Sequence, residues 1–190
     1  MKSQIILSCF ALILSQTGVI AFLSQDGDKK AKTVAFKLAE IDYFHRFTKD
    51  DLHEYTPDGQ EELNACKDMV TINYYAKAKD GDALAATAEA VLANYEANKA
   101  RILRTDSVPR TKDKPAEHLI VAVFGRPEFF EVAFARFKMH NGVGTAVIYS
   151  HRIYGEKVSD EMNAWLEKNG PATEKNLMKW DAMPKPPASK

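Results

Sequence analysis

From Thr33 onward the chain reads as short runs of alternating apolar and polar residues, broken by turn signals and by one long helical period. Val34, Phe36 and Leu38 alternate and Ile41, Tyr43, Phe44 and Phe47 follow, so 33–47 reads as a single strand. A second strand over 52–56 runs into Pro57-Asp58-Gly59, a turn signal. Asp58 followed three positions later by Glu61 has the form of a capping box and predicts a short helix over 59–67, with Leu63 and Cys66 on one face. The apolar run 69–75 returns as strand. Leu84, Ala88, Val91, Leu92 and Tyr95 then recur at helical spacing behind Asp80-Gly81-Asp82, which predicts a helix over 82–99.

Strand returns over 100–108, and after a charged loop over 109–115 come three close strands, 117–124, 129–139 and 143–154. Asn141-Gly142 between the last two is a hairpin signal, because a type I′ turn needs positive φ at both central residues. That turn fixes the register: His140 faces Val143, Glu131 faces Arg152 and Phe129 faces Tyr154. Both faces of the hairpin are largely apolar, so both should be covered. One carries a floor of small residues, Ala133, Ala135, Gly144, Ala146 and Ser150, where a helix can approach closely.

Two C-terminal helices are expected to supply that cover. Ser159 caps the first, which runs to 168 with Met162, Trp165 and Leu166 inward. Asn169-Gly170-Pro171 reads as a stop and a restart, and the second helix runs to about 181 with Leu177 and Trp180 one turn apart. The segment 183–190, with three prolines, reads as an extended tail. The expectation is one α+β domain over 33–182: a mainly antiparallel β-sheet of about six strands, a long central helix and a C-terminal helical pair. The order of elements resembles in outline a PsbP-like α/β/α sandwich. A cone of the nuclear transport factor 2 type is the other arrangement considered, but such cones open with long helices that this N-terminus does not show.

Composition adds where the protein acts. The 26 basic and 26 acidic side chains balance, without the charged block that nucleic acid or anionic lipid would require. Lys2, the apolar stretch 5–13 and small residues up to Ala21, with Val19 at minus three, make a signal peptide cleaved after Ala21. A flexible leader over 22–32 follows. Ser8, Cys9, Ser15, Gln16, Thr17 and Gly18 interrupt the apolar run, which argues against a membrane anchor. Ile6-Leu7-Ser8-Cys9 loosely imitates a lipobox but sits too near the N-terminus to serve as one. Cleavage removes Lys2 and no acid, so 25 basic residues face 26 acidic ones. The mature chain keeps one cysteine, Cys66, and so has no internal disulfide. It carries no Asn-x-Ser/Thr sequon, which fits a bacterial periplasmic or secreted protein that is free of the membrane once processed.

The chemistry in the sequence is sparse. No nucleophile elbow, Walker loop, His-Glu-x-x-His or Cys-x-x-Cys occurs, so no cofactor is expected. His45, Asp50 and His53 form the candidate metal group, matched against the simpler reading of a solvated turn. His140 and His151 share one face of the hairpin but stand too far apart to share a metal, and His151 facing Val132 reads as a structural imidazole. Cys66 reads as buried rather than nucleophilic. Arg126, Arg152 and Tyr154 converge at one sheet edge as a candidate site for a carboxylate or phosphate, against the alternative that Arg152 pairs with Glu131 across the strands. The preferred function is a non-catalytic exported module that binds a small anionic ligand or an envelope protein. The alternative is a small extracytoplasmic metal-dependent hydrolase using His45, Asp50 and His53.

Overall fold

The computed structural model describes residues 33–185, so the expected signal segment 1–21, the expected leader 22–32 and residues 186–190 lie outside the described residues. Eight strands and two helices follow one another as β1 (Phe36–Leu38), β2 (Ile41–Lys49), β3 (Leu52–Pro57), β4 (Asp68–Tyr75), α1 (Gly81–Ala97), β5 (Arg101–Val108), β6 (Glu117–Gly125), β7 (Phe129–His140), β8 (Val143–Tyr154) and α2 (Val158–Lys179). One antiparallel sheet holds all eight strands in the order β1-β2-β3-β4-β8-β7-β6-β5. Two meanders, β1 to β4 and β5 to β8, are thus joined edge to edge by the single non-sequential pairing, β4 with β8.

The α+β class holds, but the sheet of about six strands with a long central helix and a C-terminal helical pair does not. The sheet has eight strands, the longer helix is the C-terminal one, and that helix is continuous. One added strand comes from 33–47, which is a hairpin: Leu38 pairs with Ile41 across Ala39 and Glu40. Both turn residues hold positive φ, 48° and 64°. Such turns normally use Gly, Asn or Asp, so the residue types give no sign of it. Left-handed backbone costs an ordinary L-residue roughly 1–2 kcal/mol, partly offset by the entropy glycine loses on folding. Glu40→Gly is therefore expected to raise unfolding stability by about 0.5–1 kcal/mol, read as a higher urea midpoint at unchanged slope.

The helical stop at Asn169-Gly170-Pro171 fails because tertiary packing overrides it. Pro171 removes one intrahelical donor and costs about 3 kcal/mol in an isolated helix. Yet Met162, Trp165 and Leu166 before it and Leu177 after it belong to one stripe buried on the sheet, and the Asn169 side chain donates to the Trp165 carbonyl at 3.0 Å. The helix starts at Val158 without a side-chain cap, so Ser159 does not serve as one. The segment 59–67 is also no helix. The Thr56 hydroxyl donates to the Gln60 carbonyl, and the Gln60 side-chain oxygen accepts from the backbone N–H of Lys67 and Asp68, closing the segment as a loop.

The Asn141-Gly142 turn has positive φ at both residues, and the β7–β8 register follows from it, with His140 opposite Val143 and Phe129 opposite Tyr154. The two helices take opposite faces. α1 lies on the small-residue floor, where Leu84 reaches Gly144 and Tyr95 meets Phe124 edge-on. α2 lies on the other face, with Trp165 against Phe134 and Tyr149. The floor is therefore filled by the middle helix and not by the C-terminal segment. On the α2 face, Phe36, Tyr43, Val70, Ile72, Val132, Phe134, Val147, Leu177 and Trp180 form a continuous core. The start of the tail is docked too: Met183 is buried, and the Pro184 carbonyl accepts the Tyr74 hydroxyl at 2.9 Å. Among the described residues, no helix is long and apolar enough to cross a membrane.

Candidate functional site

The β4–β8 pairing sets Asp68 directly opposite His151, and in a strand pair such residues project from the same face. Tyr149 lies two residues back along β8 on that face. Asp68 Oδ1 accepts from the Tyr149 hydroxyl at 2.7 Å and from His151 Nδ1 at 2.8 Å, while Gln60 Nε2 donates to Oδ2 at 3.3 Å. The His151 ring stacks on Trp165 of α2 with centroids 4.2 Å apart and planes 10° from parallel. A neutral imidazole that donates Nδ1–H to a carboxylate carries its lone pair on Nε2.

These residues floor a cavity of about 280 Å³. The β1–β2 hairpin forms one wall with Leu38, Ala39 and Ile41, and α2 forms the other with Trp165, Asn169, Thr173, Asn176 and Leu177. Trp180 fastens β1 to the end of α2, donating Nε1–H to the Lys37 carbonyl at 2.7 Å and packing on Phe36. Ala39, Ile41 and Asn176 are exposed at the rim. The positive-φ turn at Ala39-Glu40 is thus at the cavity mouth, and backbone strain of this kind gathers at ligand clamps and switch regions.

The electrostatics of the floor are those of a held carboxylate. Burial alone would raise the Asp68 pKa, but hydrogen bonds from His151 and Tyr149, the charge of His151 and a hydrogen bond from Gln60 outweigh it and hold the group below the ordinary carboxylate value. Burial and then the neighbouring Asp68 charge push the Tyr43 and Tyr149 hydroxyls well above their ordinary value, so both remain protonated. The cavity thus presents an ionised carboxylate, an imidazole and aromatic walls, with no lysine or arginine among its lining residues.

No family model matches the chain, and no curated protein is similar to it by sequence. Among solved structures, the Ran-binding protein Mog1p of Saccharomyces cerevisiae is 14% identical with a TM-score of 0.45, over 72% of this chain and 82% of that one. A protein of unknown function from Pseudomonas aeruginosa is also 14% identical, with a TM-score of 0.46 over 80% of this chain and 98% of its own. Human STARD10 is 5% identical with a TM-score of 0.30, over 72% and 71% of the two chains. These likenesses are too distant to bear on function.

The arginines singled out in the sequence are not among the residues that line this cavity. Arg152 is 7% exposed and donates to Glu131 at 3.1 Å and to the Leu63 carbonyl at 2.7 Å, with its guanidinium over the Phe129 ring. The Tyr154 hydroxyl donates to the Cys66 carbonyl at 3.0 Å, so both side chains pin the 59–67 loop to the sheet. Arg126 lies over a different ring, Phe124. Cys66 is buried, and burial raises its thiol pKa despite the nearby Arg152 charge. His45 and His53 do come together, bridged by the Thr48 hydroxyl at 2.7 and 2.9 Å. Asp50 sits in the exposed β2–β3 turn, and among the described residues no group of three or more His, Cys, Asp or Glu is placed to hold a metal ion.

Beside Arg152, on the face opposite the cavity, burial and the Glu131 charge lift the Glu54 pKa to about 6 against the partial pull of Arg152. The folded state then binds a proton more tightly than the unfolded chain, so this group favours folding fully below its unfolded value and the contribution is lost as pH rises through about 6. Glu54→Gln should remove that dependence and gain about 2 kcal/mol at neutral pH, measured as urea stability across the acid range. A wild-type stability that climbs through this window in step with the variant would contradict it.

Proposed function

We propose that this chain is an exported bacterial module, periplasmic or secreted, that binds a small ligand without catalysis in the cavity between the β1–β2 hairpin and α2. The observation that carries the reading is the convergence on one cavity of an oriented Asp68–His151 pair, the stacked Trp165 wall and the positive-φ turn at its mouth. Enclosed pockets with mostly apolar walls and a few fixed polar groups are the common form of a small-molecule site. A volume just below the usual ~300–1,000 Å³ range suits a small ligand. The dyad has the orienting half of a nucleophilic site but not the nucleophile: among the described residues, the hydrogen bonds of His151 go to Asp68. Export rests on Lys2, the apolar stretch 5–13 and the small residues before Phe22.

Thr173→Trp, on the α2 wall, fills the cavity while leaving Asp68 and His151 unsubstituted. In a thermal-shift screen, a compound that stabilises the wild type should leave this variant unshifted. At a hundredfold excess over Kd the stabilisation amounts to about 3 kcal/mol. Equal shifts in the two proteins would place binding elsewhere. Mass spectrometry of the envelope fraction should find the mature N-terminus at Phe22 or within a few residues, and intact Met1 to Ala21 would refute processing.

A further inference from the structure

We propose that the ligand is a small organic cation, an alkylammonium with a short apolar body, whose charged head sits on Asp68 and His151. The proposal rests on the cavity being the ligand site and goes beyond it by fixing the ligand's charge. Asp68 is the carboxylate of the lining, and no lysine or arginine accompanies it there. Among the described residues its ion-pair partner is His151, and its other donors are the neutral Tyr149 hydroxyl and Gln60 amide. The carboxylate is oriented by these hydrogen bonds, and no lysine or arginine of the lining stands against its charge. A half-buried carboxylate held in this way favours a cation and repels an anion.

The rest of the lining agrees in chemistry. An ammonium head brings donors, and the floor offers acceptors in the oxygens of the Asp68 carboxylate. Aromatic faces attract cations through their quadrupoles, and Tyr43, Tyr149 and Trp165 all line this space. Leu38, Ile41 and Leu177 supply an apolar surface for the alkyl part, and the volume of about 280 Å³ keeps that part short. A carboxylate ligand of the same length would bring its charge against Asp68 with no lysine or arginine in the lining to offset it.

Calorimetric titration of the wild-type protein at neutral pH with n-butylammonium, n-butanol and n-butyrate isolates the charge at constant shape. The ammonium should bind saturably, butanol about tenfold or more weaker, and butyrate not at all, and Asp68→Asn should bring the ammonium down to the level of butanol. The comparison within the wild type stands even if that variant fails to fold. Butanol or butyrate binding as tightly as the ammonium would overturn the cationic ligand. If Thr173→Trp still abolishes that binding, the cavity reading survives the loss. Binding of the ammonium undiminished in Thr173→Trp would overturn both.

Discussion

Replacing Arg136 with methionine is expected to lower the free energy of unfolding by about 3–5 kcal/mol, the usual effect of removing one partner from a buried charged network. Arg136 is 3% exposed, and it donates to Glu117 at 2.7 Å and to the Leu177 and Trp180 carbonyls at 2.9 and 2.6 Å. The last carbonyls of a helix have no partners within it and form the negative end of its dipole. A strand residue thereby caps α2 and holds it on the sheet. Methionine keeps much of the side-chain volume, so the effect isolates the lost hydrogen bonds and the Glu117 charge left behind. Because Leu177 belongs to the cavity wall, hydrogen exchange in the last turn of α2 should accelerate together with the loss of stability. A change below about 1 kcal/mol in chemical denaturation would mean that Arg136 is dispensable and that packing alone seats α2.

The second large effect belongs to the opposite face. A Cβ on Gly144 would stand 2.6 Å from the Ala78 Cβ and 3.3 Å from Leu84 Cδ1. The backbone is held there as well, since Gly144 N–H donates to the Ala78 carbonyl at 2.7 Å. Gly144→Ala must push the segment before α1 off the sheet, at a cost of about 2–3 kcal/mol, near the upper end for overpacked cores. Ala78→Gly in the same chain should recover much of that loss, because it removes the nearer of the two obstructing side-chain atoms. Stabilities of the two single variants that simply add in the double variant would show that the contact is not what limits this site.

Local signals carried a good part of the fold. The α1 stripe of Leu84, Ala88, Val91 and Tyr95 is buried as its spacing indicates, and Asp80 caps it by accepting from the Ala83 N–H. Asn141-Gly142 sets a twelve-pair register that the sheet reproduces. Where the reading failed, a residue type was used against its habit or a distant contact decided the outcome. Ala39-Glu40 turns without a turn residue. Pro171 is carried through by the burial of Met162 and Leu177 on either side of it.

The cavity was not legible for a related reason. Asp68 and His151 meet through the β4–β8 pairing, which has no turn to fix its register and joins positions 83 residues apart. His151 taken alone is an imidazole opposite Val132, and Asp68 taken alone is a polar residue at the head of an apolar run. The spacing of Tyr149 and His151 on one face was the available signal, but it points to no partner. The converse holds at Arg152, where the turn-fixed register identified Glu131 as the cross-strand neighbour, and the two side chains are paired.

Side-chain nitrogen-resolved NMR of the protein, titrated with n-butylammonium, tests most directly whether the cavity is the ligand site. Trp165 lines the cavity, whereas the Arg126 and Arg152 guanidinium groups lie against the rings of Phe124 and Phe129. The expected result is a saturable shift of the Trp165 indole and His151 ring signals, with the Arg126 and Arg152 signals unmoved. Saturable shifts confined to those arginines, with Trp165 and His151 unchanged, would contradict the account.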